Sequence, residues 1–134
     1  MADNVADLTA KAYDIIRMIP PGRVTSYGHI AKLAGYPNYS RHVGQALRML
    51  PAGSDIPWQR VLNAKGLISP RGDEGLGVQR QRDALEAEGV VVETLSGGQG
   101  ERVDLRRYGW FPDRRADMTL DAWFEAAEAG EVVG

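Results

Sequence analysis

The sequence predicts a mainly α domain with short β hairpins, arranged around a winged helix-turn-helix-like core. Two observations point there. Apolar residues recur at helical spacing in three successive segments of the N-terminal half, and a tight turn separates the second from the third. The segments that follow are short apolar pairs flanking glycine-bearing turns, a strand-and-turn pattern rather than a helical one. A length of 134 residues, 43% hydrophobic and 25% charged, is enough for an ordinary globular core. The expected division is one domain over residues 1–112 and an acidic C-terminal extension, one helix, over residues 113–134.

The first helix is expected from about Asp7 to Ile19, since Leu8, Ala12, Ile15, Ile16 and Ile19 share a face and Pro20-Pro21-Gly22 ends it. Thr25 or Ser26 can cap a second helix containing Ile30, Ala31, Leu33 and Ala34, with Gly35 as its stop. Tyr36-Pro37-Asn38 turns the chain, because proline restricts the residue before it and cannot continue a helix. A third helix runs from about Tyr39 to Leu50, with Val43, Ala46, Leu47 and Leu50 at core spacing and Pro51 closing it.

Val61-Leu62 and Leu67-Ile68 flank Asn63-Ala64-Lys65-Gly66, which reads as a short hairpin or tight turn. Ser69 to Gly77 is rich in chain breakers and reads as a mobile loop. A helix from about Val78 to Glu88 stops at Gly89, and Val90–Thr94 and Arg102–Leu105 form a strand pair around Gly97-Gly98. Thr119 caps a last helix whose Leu120, Trp123, Phe124 and Ala127 fall on one face.

Composition excludes much chemistry. Without a cysteine there is no disulfide, no thiolate metal site and no thiol nucleophile. His29 and His42 are the two histidines, and they lack metal-ligand spacing. Neither a phosphate-binding Gly-rich loop nor a nucleophile-elbow pattern occurs. No metal or cofactor is expected. Nor is a membrane span or signal peptide, and the expected location is the cytoplasm, on the nucleoid if the source is bacterial.

The net charge of −2 hides an asymmetry. Between residues 23 and 65, Arg23, Lys32, Arg41, Arg48, Arg60 and Lys65 face Asp55 alone. From Phe111 onward, six acidic residues face Arg114 and Arg115. A basic middle allows a local phosphate-binding face despite the acidic total. The start of the second helix of a helix-turn-helix commonly meets DNA. Here Tyr39, Ser40, Arg41, Gly44 and Gln45 occupy that stretch. Small Ser40 and Gly44 let the backbone approach a groove, while Arg41 and Arg48 can reach phosphates or a base stack. Trp58, after Pro57, is either a core anchor or an aromatic wall for a stacked base.

Three segments, in order and spacing, resemble O6-alkylguanine-DNA alkyltransferases: Pro21-Gly22-Arg23-Val24-Thr25-Ser26-Tyr27-Gly28-His29-Ile30-Ala31, Ser40-Arg41-His42-Val43-Gly44-Gln45-Ala46, and Ile56-Pro57-Trp58-Gln59-Arg60-Val61. The likeness spans roughly Leu8 to Pro112 and implies the fold of the C-terminal domain of those enzymes. In that family the third segment reads Pro-Cys-His-Arg, and its cysteine accepts the alkyl group. With Trp58 at that place, the chain most resembles the alkyltransferase-like proteins, which bind such lesions without repairing them.

The resemblance implies that Tyr27 helps rotate the damaged nucleotide outward and that Arg41 fills the space it leaves, since a planar guanidinium stacks on bases and donates to the orphaned partner. It implies a lesion pocket lined by Tyr27, Trp58 and Arg71, the last against the guanine face. Ser40, Gly44, Gln45, Thr25 and Tyr39 are the further candidates for DNA contact, in the minor groove. Gln59 stands where the enzymes have a histidine linked to a glutamate, matched here by Glu88. An indole nitrogen has no free lone pair for attack, and Gln59 cannot relay a proton, so no catalytic residue is expected. The implied function is a monomeric DNA-damage sensor that flips O6-alkylguanine from duplex DNA, leaves the alkyl group in place and marks the site for nucleotide excision repair proteins. The residues also admit a helix-turn-helix transcription regulator of undamaged DNA, or a module whose acidic tail docks a partner.

Overall fold

A computed structural model describes residues 2–113 and 119–128. It is mainly helical with short strands, as the sequence predicts. Helix α1 (Ala2–Arg17) begins earlier than the apolar stripe required and gives way to a tightened turn in which Met18 and Ile19 donate to Ile15 and Ile16. The prolines that follow hold Ile19 out of helical geometry.

Strand β1 (Thr25–Ser26) leads into helix α2 (Tyr27–Leu33), whose start is capped by the Ser26 hydroxyl accepting from the His29 N–H at 3.1 Å. Gly35, at φ +91°, closes α2: its N–H donates to Lys32 and the Tyr36 N–H to Ala31, at 3.1 and 2.9 Å. This reciprocal pair satisfies carbonyls that the helix end would leave orphaned, and the left-handed backbone it needs is cheap only for glycine. A turn closed from Tyr39 N–H to the Tyr36 carbonyl leads into helix α3 (Ser40–Arg48), slightly shorter than expected. The Tyr13 hydroxyl donates to the Ala46 carbonyl at 2.8 Å, tying α1 to α3.

Strand β2 (Val61–Leu62) does not form the expected hairpin with Leu67-Ile68. It pairs in parallel with β1, Thr25 opposite Val61 and Ser26 opposite Leu62. Val24 bridges Gly109 on the other side, so three distant segments lie side by side. The tight turn itself is present: the Asn63 carboxamide oxygen accepts from the N–H groups of Lys65 and Leu67, both at 2.9 Å. Leu67 instead bridges Arg102 on strand β4 (Gly100–Val103), which pairs with strand β3 (Val92–Leu95) as the one hairpin among the described residues. Helix α4 (Leu76–Ala87) starts two residues before Val78, so Leu76 and Gly77 belong to it rather than to the preceding loop. Periodicity did not signal the short helix α5 (Leu105–Tyr108).

Helix α6 (Leu120–Glu128) is capped by Thr119, whose hydroxyl accepts from the Ala122 N–H at 3.1 Å. Trp123 is 0% exposed and joins the cluster formed by α1, α2 and α3, beside Trp110 at 6.3 Å between ring centroids. The Leu120 and Ala127 side chains, expected on the same face, lie outside the described residues. A second cluster gathers Val24, Leu62, Ile68, Leu85, Val90, Val92, Val103 and Tyr108 beneath the hairpin. Among the described residues no helix is long and apolar enough to cross a membrane.

Truncating a fully buried tryptophan removes its packing and leaves a cavity. Trp123→Ala is expected to cost about 3–5 kcal/mol in urea unfolding. A loss under about 1 kcal/mol, the range of surface substitutions, would mean that α6 adds nothing to the core.

Candidate nucleic-acid interface

Helix α3 presents Ser40, Arg41 and Gln45 to solvent, with Gly44 half-buried among them. Tyr39 gives its carbonyl to the N–H groups of His42 and Val43, but its side chain does not cap the helix. Among the described residues the N–H groups of Ser40 and Arg41 have no partner. An uncapped helix start carrying an arginine favours anions such as phosphate. Arg41 likewise makes no ion pair or hydrogen bond to the described residues, so its guanidinium is available.

Tyr27, the first residue of α2, lies over Gly44; a β-carbon there would sit 3.9 Å from the Tyr27 ring. The two helices thus bring Tyr27 to the same surface as Ser40, Arg41 and Gln45. Tyr39 stacks at a tilt between Tyr36 and His42, with ring centroids 5.8 and 5.0 Å away. Thr25 does not share this surface. It is 0% exposed, inside the parallel pairing of β1 with β2, so the expectation that it contacts DNA is corrected by its burial.

Beyond the C-terminal end of α3 lies an open cavity of about 310 Å³. Leu47, Arg48 and residues 50–54 form one wall; Trp58, Arg71, Asp73, Gly77 and Arg80 form the other. Trp58 sits in a 3₁₀ turn (Trp58–Arg60), half-buried against the core. The Arg71 guanidinium carbon lies 4.9 Å from the Trp58 ring centroid, a cation–π arrangement. Arg71 is therefore not an arginine solvated in a free loop. Three arginines face one carboxylate here, and that carboxylate, Asp73, is engaged by the Gly77 N–H at 2.9 Å. Tyr27 does not line this cavity.

Behind Trp58 stands Glu88, at the end of α4. Its Oε1 accepts from the Gly22 N–H at 2.8 Å and from Arg60 Nε at 3.0 Å, while its Oε2 accepts from Gln59 Nε2 at 2.7 Å. Arg60 reaches on to the Ile19 carbonyl at 2.8 Å. This gives Gln59 the partner that the sequence left undetermined: a neutral donor to Glu88. Burial pushes the Glu88 carboxyl up, but the bonds from Arg60, Gly22 and Gln59, with the Arg60 charge, outweigh it and hold the group below the ordinary glutamate value. Gln81, 1% exposed, donates to the carbonyls of Gln59 and Val61, both at 3.1 Å, and fixes the same turn from α4.

His29 faces away from this network. Its Nε2 donates to the Pro112 carbonyl at 2.7 Å, and its ring meets Phe111 edge-on. Burial draws its pKa down, against the hydrogen bond to Pro112. Among the described residues no cluster of three His, Asp or Glu side chains could hold a metal ion.

A helix-turn-helix with an uncapped, arginine-bearing second helix and a cavity beside it defines a DNA-binding domain. The family model for the DNA-binding domain of 6-O-methylguanine DNA methyltransferase matches residues 7–90. The chain is 47% identical over 100 residues to a DNA base-flipping protein of Vibrio parahaemolyticus, covering 75% of this chain and 92% of that one. It is 45% identical over 102 residues to alkyltransferase-like protein 1 of Schizosaccharomyces pombe, covering 76% and 93%. A crystal structure of the latter bound to damaged DNA containing O6-carboxymethylguanine superposes with a TM-score of 0.73 at 43% identity, covering 78% of this chain and 95% of that one. The chain belongs to this family, in its alkyltransferase-like, base-flipping branch.

A carboxyl whose folded pKa is depressed stabilises the fold above its unfolded pKa of about 4.3, and that stabilisation drains as pH falls through the lower folded value. Glu88→Gln should lose about 1–3 kcal/mol at pH ~7, as expected when partners of a partly buried carboxylate lose their acceptor. Urea midpoints measured down to pH ~3 should show the gap to wild type closing, and a gap independent of pH would rule out the ionised hub.

Proposed function

We propose that the chain is a non-enzymatic sensor of alkylated DNA. It binds duplex DNA as a monomer through α3 in the minor groove, turns an O6-alkylguanine out of the stack and holds it near Trp58 and Arg71. The alkyl group stays on the DNA, and the complex marks the site for nucleotide excision repair proteins. The observation that carries this reading is the cavity beside α3, walled by an arginine stacked on Trp58. A space of about 310 Å³ lies at the lower end of the range for small-molecule sites, ~300–1,000 Å³. The names of the relatives, and the damaged DNA in one solved complex, support the same reading and lend none to a regulator of undamaged sequence.

In this mechanism Tyr27 and Arg41 divide the work of extrusion. The Tyr27 ring crowds the backbone of the damaged nucleotide from above Gly44. The unpartnered Arg41 enters the stack and donates to the base left behind. Ser40, Gly44, Gln45 and Tyr39 bring the backbone of α3 close to the groove. Flipping costs a few kcal/mol, less for a base that already pairs poorly, and that difference supplies selectivity. Arg71 offers the extruded purine a cationic plane. No transfer follows, because the Trp58 nitrogen has no lone pair to give and Gln59 cannot pass a proton.

Binding should be titrated at fixed salt on two duplexes that differ by a single O6-methylguanine. We expect a preference for the lesion of about tenfold or more, ~1.4 kcal/mol, diminished in Arg41→Ala. Mass spectrometry of the mixture should find the protein mass unchanged. Equal binding to both duplexes would favour the regulator, and an alkyl group on the protein would refute the non-enzymatic reading.

A further inference from the structure

We infer that Gly77 is a positioning residue of the cavity: its missing β-carbon is the space in which the Arg71 stem lies, and it thereby sets the Arg71 guanidinium over Trp58. The inference rests on the proposed lesion-binding role of that cavity. Gly77 is the second residue of α4 and is buried. Its φ lies outside the left-handed region, so the backbone does not demand glycine there. Glycine in a helix is less favourable than alanine, which points to a packing reason for its presence.

The packing reason is specific. A β-carbon at Gly77 would stand 2.5 Å from Arg71 Cδ, 3.3 Å from Arg71 Cγ and 2.9 Å from Asp73 Oδ2. The first of these distances cannot be met without moving Arg71. Nothing polar holds Arg71 in place, for among the described residues it makes no hydrogen bond or ion pair, and its buried Nε is unpartnered. The 4.9 Å approach to Trp58 therefore depends on packing alone, between the indole on one side and the bare Cα of Gly77 on the other. A methyl group at that point would shift the stem and lift the guanidinium from the ring.

Gly77→Ala, Arg71→Ala and the double variant should be compared in two measurements. The first, without DNA, is acrylamide quenching of tryptophan fluorescence. Trp110 and Trp123 are 8% and 0% exposed, so the half-buried Trp58 dominates the change. Gly77→Ala should raise quenching as Arg71→Ala does, with no fall in melting temperature. The second is the lesion preference, expected to drop about threefold to tenfold in either single variant and no further in the double. Unchanged quenching and preference in Gly77→Ala would overturn the inference, as would a loss that adds to that of Arg71→Ala. Should Gly77→Ala fail to fold, Gly77→Ala combined with Arg71→Ala and Asp73→Ala, which removes both side chains that the β-carbon would meet, must fold if the clash is the one described; failure of both overturns the inference. If wild type shows no lesion preference, the proposed function fails, while quenching still decides the role of Gly77.

Discussion

One carboxylate joins three stretches of chain that are far apart in sequence. Glu88 closes α4, yet its oxygens are occupied by the N–H of Gly22, at the entry to the helix-turn-helix, and by Gln59 and Arg60 of the turn that carries Trp58. Arg60 in turn holds the Ile19 carbonyl where α1 ends. A partly buried carboxylate is unfavourable unless its charge is met, and here three donors meet it, one of them a guanidinium. These bonds fix the Trp58 turn against the entry to the helix-turn-helix and the end of α4.

Much of the fold is legible in the sequence because it depends on local rules. The glycines that stop α2 and α4 occupy left-handed positions, and Ser26 and Thr119 cap the helices they precede. The parallel pairing of β1 with β2 is not legible. Strands of two residues have no periodicity, and their partners are set by tertiary packing across 36 residues. The same limit separates the two readings of residues 61–68: the tight turn at Asn63 is local chemistry and is present, whereas a hairpin would need a choice of strand partner that is not local. At the site, pattern leaves Trp58 as either a core anchor or an aromatic wall, and Arg71 comes from family resemblance alone. The bond from Gln59 to Glu88 spans 29 residues and becomes visible only in three dimensions. Thr25 illustrates the converse, since a polar residue expected at the DNA surface is turned wholly inward.

Charge is distributed by element rather than by total. Arg41 and Arg48 stand on α3, and Arg71 and Arg80 stand across the cavity, while Asp121 and Glu125 are exposed on α6. A net charge of −2 keeps nonspecific attraction to polyanions low. The cationic face then acts at short range, where screening at physiological salt is incomplete within about 8 Å.

The side-by-side run of Gly109, Val24 and Val61 has a consequence for how the protein is made. The strand that launches α2 is flanked on one side by residues near position 61 and on the other by residues near position 109. A ribosome releases the helix-turn-helix before either neighbour, about 13 residues ahead of the nearer. During that interval the N-terminal segment lacks both the strands that flank it and the acid that anchors Gly22. The surroundings of that strand are therefore complete only once the segment near Gly109 has emerged.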